Sequence, residues 1–205
     1  TCCGDGRTGC PKFYACASDG RCLATPKRPP DSLLHVLPRY TLCPLSPASL
    51  YITHRFPMRV YRNKTRNTVI LPYYSSHGSI TVPNDSHDSI QIALVVVHGG
   101  ARNADDYYCP LLAARQLQQS YAAESVLVLA PRFLTMQDNG LGDASTLRFG
   151  GTGHGKWRYG AGAKGYKHFT SFDAIDRFVE ALTRFPNLKR IIVVGHSVGA
   201  QFVQR

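Results

Sequence analysis

The sequence has no hydrophobic run long enough to cross a membrane, because its longest uninterrupted apolar stretch covers only residues 92–97. A membrane-spanning helix needs about 20 such residues. Acidic side chains are also scarce, with 13 Asp and Glu against 24 Lys and Arg, so the formal net charge is +11. Yet no run of Lys or Arg exceeds two residues, and no basic stripe carries interleaved aromatic side chains. We therefore expect neither a membrane span nor a nucleic-acid partner.

Cysteine is rare outside the N-terminus. Five of the seven cysteines lie in the first 22 residues, at Cys2, Cys3, Cys10, Cys16 and Cys22. A segment this short cannot bury a core, and disulfides in an oxidising compartment hold such segments in shape. A zinc site is the weaker alternative, because the segment has neither a C-x2-C pair nor a histidine. The pattern predicts a Cys-rich disulfide module over residues 1–22 and no metal or other cofactor.

Two N-glycosylation sequons, at Asn63 and Asn84, agree with an oxidising compartment because both stand in polar, turn-rich stretches. The seven cysteines are an odd number, so one thiol is free or its partner lies beyond a chain end. Cys43 and Cys109 pair with each other or with the N-terminal cluster, and the sequence leaves both open. We predict a secreted, extracellular glycoprotein.

The remaining chain separates into a linker and one large domain. Residues 23–50 hold six prolines, which predicts a semi-rigid linker or strap. Residues 51–205 contain β-rich stretches at 51–61 and 67–74, which we interpret as antiparallel first strands. Apolar runs, typical of strands buried on both faces, follow at residues 90–97, 126–130 and 191–194, with Gln91 as their one polar residue.

Helices are predicted between the apolar runs, over residues 105–121 with an early interruption at Pro110, and over residues 172–185. Thr170 and Asp173 form a capping box for the second helix. Strand–helix–strand alternation indicates an α/β fold with a mostly parallel sheet and flanking helices.

The stretch from residue 132 to residue 170 holds nine of the 18 glycines and the only tryptophan, which predicts a long loop above the sheet. Trp157, His154 and His168 could line a pocket there. A surface insertion without a functional role is the alternative.

A nucleophile motif follows the last apolar run. Gly195-His196-Ser197-Val198-Gly199 fits G-x-S-x-G, which alone arises often by chance. Here a buried strand precedes it and a segment able to start a helix follows, as a nucleophile elbow requires. Gly195 and Gly199 avoid clashes across the turn, Ser197 is the predicted nucleophile, and Val198 supplies one oxyanion N–H.

A second motif stands at the end of the strand over residues 90–97. His98-Gly99-Gly100-Ala101 lets the backbone turn and present a second oxyanion N–H, that of Gly100 or Ala101. We interpret His98 as structural and His196 as a packing residue whose side chain points away from the hydroxyl. Two motifs at two strand ends, in the expected order, favour a catalytic site over a chance serine.

Residues 90–205 resemble the α/β-hydrolase superfamily, and within it secreted members that carry HG-x-x-RNADDY after one strand and GHS-x-G-x-QFVQR at the elbow. Here these segments are residues 98–107 and 195–205. The resemblance implies esterase-like or peptidase-like acyl transfer on an ester or amide substrate through a Ser-His-Asp/Glu triad. One departure is Val198-Gly199-Ala200, where Ala-Gly-Gly is more usual, and the Val198 side chain keeps the N–H but adds bulk beside the nucleophile. Residues 1–50 lie outside the resemblance.

The chain order of the superfamily places the acid and then the histidine after the nucleophile, so the resemblance puts both beyond residue 205. His154 and His168 are the alternative bases. We expect further parallel strands beside residues 191–194 as well, and interpret the chain as the truncated N-terminal part of a hydrolase, inactive alone. The alternative function is a non-catalytic binding or adhesion protein on a hydrolase scaffold, with the Cys-rich module as its ligand-binding part.

The cysteine pattern generates a first prediction. At least four of Cys2, Cys3, Cys10, Cys16 and Cys22 should be disulfide-bonded in protein secreted from its native host, because the module has no core of its own. Thiol counting under denaturing, non-reducing conditions measures this. Finding all seven thiols free would contradict both the module and the secreted location.

Overall fold

The chain folds as two units, Thr1–Leu42 and Cys43–Arg205, and the division falls inside the proline-rich stretch 23–50. The computed structural model describes residues 14–16, 22–24, 54–81, 87–117, 119–138, 140–150 and 156–205. In the first unit, β1 (Tyr14–Cys16) pairs antiparallel with β2 (Cys22–Ala24), and Cys16 is the register partner of Cys22. The positions predicted at Cys2, Cys3, Cys10, Asn84 and His154 lie outside the described residues.

The second unit contains seven described strands, and five of them, β3 to β6 and β9, correspond to the five strands predicted from the sequence. The strands are β3 (His54–Arg62), β4 (Thr65–Ser75), β5 (Ile92–Val97), β6 (Val126–Pro131), β7 (Gly162–Ala163), β8 (Tyr166–Thr170) and β9 (Arg190–Gly195).

Five of these strands form one mixed sheet in the order β3-β4-β6-β5-β9. The β3–β4 and β4–β6 pairs are antiparallel, whereas β6–β5 and β5–β9 are parallel. The chain is therefore α/β, but its sheet is mixed and not mostly parallel as predicted. The β3–β4 pair is antiparallel because Asn63 and Lys64, both at positive φ, close β3 onto β4 in a two-residue hairpin turn.

Strands β5 and β6 are buried because helices cover both faces of the sheet there. Alternate side chains of a strand point to opposite faces. Val95 of β5 and Leu129 of β6 pack in the larger core cluster, while Val96 and Val128 pack in the smaller one. The continuous β-branched runs thus reflect strands that need apolar side chains on both faces.

Among the residues that the structure describes, three α-helices flank the sheet. Helix α1 (Ala104–Leu117) packs in the smaller cluster, and helices α2 (Ser171–Leu182) and α3 (Val198–Val203) pack in the larger one. Pro110 does not interrupt α1, contrary to our expectation. Pro110 and Asp106 are both exposed, so the carbonyl that loses its helical partner lies at the surface, where its cost is small.

The stretch over residues 132–170 is more ordered than the predicted loop. Its described part holds bridges between Leu134 and Arg148 and between Phe149 and Ala163, a 3₁₀ turn over Lys156–Tyr159, and the β7–β8 hairpin. Trp157 and Phe149 are fully buried and anchor it to the core. Strands of two to five residues are too short to show a hydrophobic period, which is why the sequence predicts only a loop.

Strand β9 forms one edge of the described sheet. Ile192 and Val193 are each 37% exposed there, which is unusual for β-branched side chains on a parallel strand.

None of the helices that the structure describes has the length and apolar character that a membrane crossing requires.

The capping box of α2 generates a stability prediction. The Thr170 hydroxyl accepts the Asp173 N–H at 3.2 Å, and the Asp173 carboxylate accepts the Thr170 N–H at 2.7 Å. Thr170→Ala should lower the free energy of unfolding by about 1 kcal/mol, because one helix-terminal N–H loses its acceptor. Chemical denaturation measures the change. The matched control is Thr170→Ser, which keeps the hydroxyl; an equal loss in both variants would show that the cap is not responsible.

Candidate functional site

The predicted nucleophile lies at a strained turn. Ser197 connects β9 to α3 with φ 54° and ψ −119°, and its side chain is exposed. A positive φ is uncommon for residues other than glycine, and such strained positions cost roughly 1–3 kcal/mol each. The turn presents the Ser197 hydroxyl to solvent at the carboxyl end of β9.

Close backbone contacts explain both glycines of the motif. A β-carbon at Gly195 would lie 2.3 Å from the carbonyl carbon of Gly199. A β-carbon at Gly199 would lie 2.4 Å from the Val97 carbonyl oxygen and 2.5 Å from that of His98. No side chain fits at such distances, so only glycine lets the first turn of α3 rest on the end of β5.

That contact brings the second motif against the first. A β-carbon built at Gly99 would lie 3.7 Å from the Ser197 Cβ, and one at Gly100 would lie 3.8 Å from the Val198 Cγ2. The loop after β5, residues 98–102, is called the oxyanion loop below. The structure thus places together Ser197, Val198 and the glycines that the sequence singles out at two separate strand ends.

Several N–H groups around the serine have no partner in the part of the chain that the structure describes. The N–H groups of His196, Gly199 and Ala200 donate to backbone carbonyls, which belong to Val97, His196 and Ser197 respectively. Among the described residues, the N–H groups of Gly100, Ala101 and Val198 donate to no protein acceptor. These are the three groups that the sequence proposes for an oxyanion hole, and they remain available to a ligand.

The buried His98 ring makes two hydrogen bonds that fix the oxyanion loop. Its Nε2 accepts the Phe133 N–H at 2.9 Å, so its Nδ1 carries the proton and donates to the Gly99 carbonyl at 2.8 Å. Burial lowers the pKa of His98 to about 4, against a smaller raising effect of the Gly99 carbonyl. The ring is therefore neutral at physiological pH, and its two bonds connect the oxyanion loop to the loop that follows β6.

Trp157 packs in the core below the elbow. Its ring stacks on Phe133 at 5.1 Å and contacts Phe202 of α3 at 5.2 Å and His98 at 4.9 Å, and it has no exposed surface. The structure thus places Trp157 beneath the site, as packing for α3 and the His98 ring.

The histidines of the described chain make no hydrogen bond to Ser197. The Tyr107 hydroxyl contacts His196 Nδ1 at 3.0 Å, beside the nucleophile. His168 is exposed on β8. Within the described residues the structure therefore assigns no general base, and no group of three or more metal-ligating side chains occurs there.

Other predicted positions lie away from the elbow. Asn63 is exposed at the tip of the β3–β4 hairpin, where a glycan would extend into solvent. Cys109, on α1, is disulfide-bonded. Two surface cavities, one between β3 and α2 and one beside residues 140–148, include neither Ser197 nor the oxyanion loop.

One ion pair at the site is absent from the sequence predictions. The Arg102 guanidinium contacts the Asp138 carboxylate at 2.8 Å, and the side chains are 13% and 10% exposed. Arg102 stands in the segment that carries the resemblance, but 36 residues separate it from Asp138, and nothing in the sequence pairs them. The one sequence feature that could have indicated this contact is the position of Arg102, four residues after His98 at the end of β5.

No family model, no curated protein and no solved structure matches the chain.

The buried His98 ring generates a prediction about pH. An ordinary histidine has a pKa of about 6.5, so between about pH 6.5 and pH 4 the unfolded chain binds a proton that the folded protein excludes. The free energy of unfolding should fall as the pH decreases through this window, by up to about 3 kcal/mol.

Denaturation at pH 7 and at pH 4.5 tests this. The His98→Gln variant should lose that part of the pH dependence, whereas His168→Gln, at an exposed position, should keep it. An identical pH dependence in the parent protein and in His98→Gln would show that His98 is not buried in its neutral form.

Proposed function

We propose that the chain carries the nucleophile and the oxyanion loop of a secreted serine hydrolase of the α/β-hydrolase type, which transfers the acyl group of an ester or amide. One observation carries this proposal. Ser197 sits at φ 54° in a strand–turn–helix whose glycines allow backbone contacts that no side chain tolerates. Backbone strain of this kind is retained where function requires it.

The unpartnered N–H groups support acyl transfer over other roles for an exposed serine. A tetrahedral intermediate develops negative charge on the former carbonyl oxygen, and fixed N–H donors stabilise that charge. Val198 offers one donor from the start of α3, and Gly100 or Ala101 offers another from the oxyanion loop. The two donors come from two elements that Gly199 holds in contact.

The reaction would run in two steps. The Ser197 oxygen attacks the acyl carbon as its proton passes to a general base, and the leaving alcohol or amine takes that proton when the carbon–leaving-group bond breaks. Water then repeats the sequence on the acyl-serine and releases the acid. The resemblance places the histidine base and its acid after Ser197 in chain order, so neither is assigned to a described residue.

The substrate surface around Ser197 is open and partly polar. Ser197 and His196 are exposed, and the Tyr107 hydroxyl reaches His196 beside the nucleophile. The Val198 side chain, close to Gly100, narrows the space next to the oxyanion donors. These features suit an acyl group that is held mainly by its carbonyl oxygen.

Secretion is proposed on separate grounds. Cys109 is disulfide-bonded, and disulfides persist in oxidising compartments. The exposed Asn63 sequon and the five N-terminal cysteines point to the same location.

A fluorophosphonate probe tests the proposed chemistry, because it forms a bond only with an activated serine beside oxyanion donors. In the full-length protein the probe should label Ser197, and peptide mass mapping should place the adduct there. Ser197→Ala should abolish labelling while leaving circular dichroism and the unfolding transition unchanged.

The control is Ser120→Ala, which removes an exposed serine away from the elbow and should label at the parental rate. Labelling that persists in Ser197→Ala would refute the assignment. A folded parent protein that takes up no probe would favour the non-catalytic binding function instead.

A further inference from the structure

The geometry of the oxyanion loop determines where its N–H groups point. In a trans peptide the C=O bond and the N–H bond of the next residue lie in one plane and point in opposite directions. A group that holds the Gly99 carbonyl therefore also orients the Gly100 N–H, and one that holds the Gly100 carbonyl orients the Ala101 N–H. The described residues contain no cis peptide bond.

Each of these carbonyls has its own donor. The His98 ring donates to the Gly99 carbonyl at 2.8 Å, and Arg102 Nη1 donates to the Gly100 carbonyl at 2.8 Å. The Arg102 N–H also donates to the Gly99 carbonyl at 3.1 Å and closes the turn. Arg102 itself adopts φ 59°, so this turn is held in a strained conformation.

Asp138 anchors the guanidinium from a different loop. Its carboxylate accepts Arg102 Nε at 2.8 Å, the Thr135 N–H at 2.6 Å and the Thr135 hydroxyl at 3.0 Å. Burial would raise the pKa of Asp138, but the hydrogen bonds from Arg102 and Thr135 outweigh it and hold the pKa below its ordinary value. The carboxylate is therefore charged at neutral pH and keeps the Arg102 Nε fixed while Nη1 reaches the Gly100 carbonyl.

We propose that Arg102 and Asp138 are positioning residues that aim the Ala101 N–H at the oxyanion. Neither touches the substrate; they act through the Gly100–Ala101 peptide. The inference rests on the proposed function and adds to it a choice between the two candidate donors of the oxyanion loop, because Ala101 is the donor that this ion pair controls. The planar guanidinium suits the task, since it binds a carboxylate and a carbonyl at once in a fixed geometry.

The test measures how fast a fluorophosphonate labels Ser197 in the full-length protein, resolved into a maximal rate and a half-saturating concentration. Removing Arg102 alone would leave the buried Asp138 carboxylate unpaired, which destabilises the fold. The informative variant is therefore Arg102→Met with Asp138→Asn, which removes both charges and keeps an oxygen for the Thr135 N–H.

We expect the maximal rate per folded molecule to fall about 10- to 100-fold, somewhat less than when an oxyanion donor is deleted. The half-saturating concentration should change less than about two-fold, because the oxyanion contact forms fully only in the transition state. A purely structural role would lower the folded fraction and leave the rate per folded molecule unchanged. Arg55→Met with Asp143→Asn removes an exposed ion pair of 2.7 Å whose Arg55 guanidinium donates to Asp143 and Ser145 and to no carbonyl of the oxyanion loop, so this variant should label at the parental rate.

The outcomes separate the two proposals. No labelling of the folded parent protein refutes the proposed function itself. Labelling of the parent together with an unchanged maximal rate in the Arg102/Asp138 variant refutes the positioning role alone. If that variant does not fold, the labelling rate of Asp138→Asn alone is measured. A reduced maximal rate per folded molecule supports the positioning role, and a parental rate overturns it.

Discussion

The approach of Gly199 to the end of β5 is the contact on which the whole candidate site depends. With the Val97 and His98 carbonyl oxygens 2.4 and 2.5 Å from where a β-carbon would stand, α3 can begin only if residue 199 is glycine. The parallel pairing of β5 with β9 brings the two strand ends level, with Val97 opposite Gly195. One backbone contact thus sets the strained Ser197 turn beside the oxyanion loop, and neither motif would have a site without the other.

Sequence patterns predicted this meeting point because its causes are local and periodic. Continuous apolar runs mark β5, β6 and β9, and the glycines of both motifs follow directly after strand ends, where parallel strands bring loops together. The Thr170 capping box was equally readable, since its partners are three residues apart. The antiparallel pairing of the first two strands was also predicted, but the strand order was not, because the insertion of β6 between β4 and β5 depends on long-range pairing that leaves no period.

The supports of the site were harder to predict than its reactive groups. His98 reaches Phe133 and Arg102 reaches Asp138, so both ties run from the loop after β5 to the loop after β6. These strands are neighbours in the sheet, and the carboxyl ends of neighbouring parallel strands face the same edge. The sheet topology and burial determine that His98 contacts Phe133 and that Arg102 contacts Asp138. Sequence separations of 35 and 36 residues reveal neither contact.

Both contacts, His98 with Phe133 and Arg102 with Asp138, persist in mild acid, because the pKa values of His98 and Asp138 are both lowered. His98 must stay neutral to accept the Phe133 N–H, and its pKa of about 4 preserves that bond down to about pH 4. Asp138 must stay charged to hold Arg102. Because its pKa is lowered, the ion pair persists at pH values below the ordinary pKa of an aspartate. Both N–H groups of the oxyanion loop therefore keep their orientation from neutral pH down to about pH 4. An acid limb above that range in the rate of a serine-directed reaction would have to come from the general base, because neither support of the oxyanion loop titrates there.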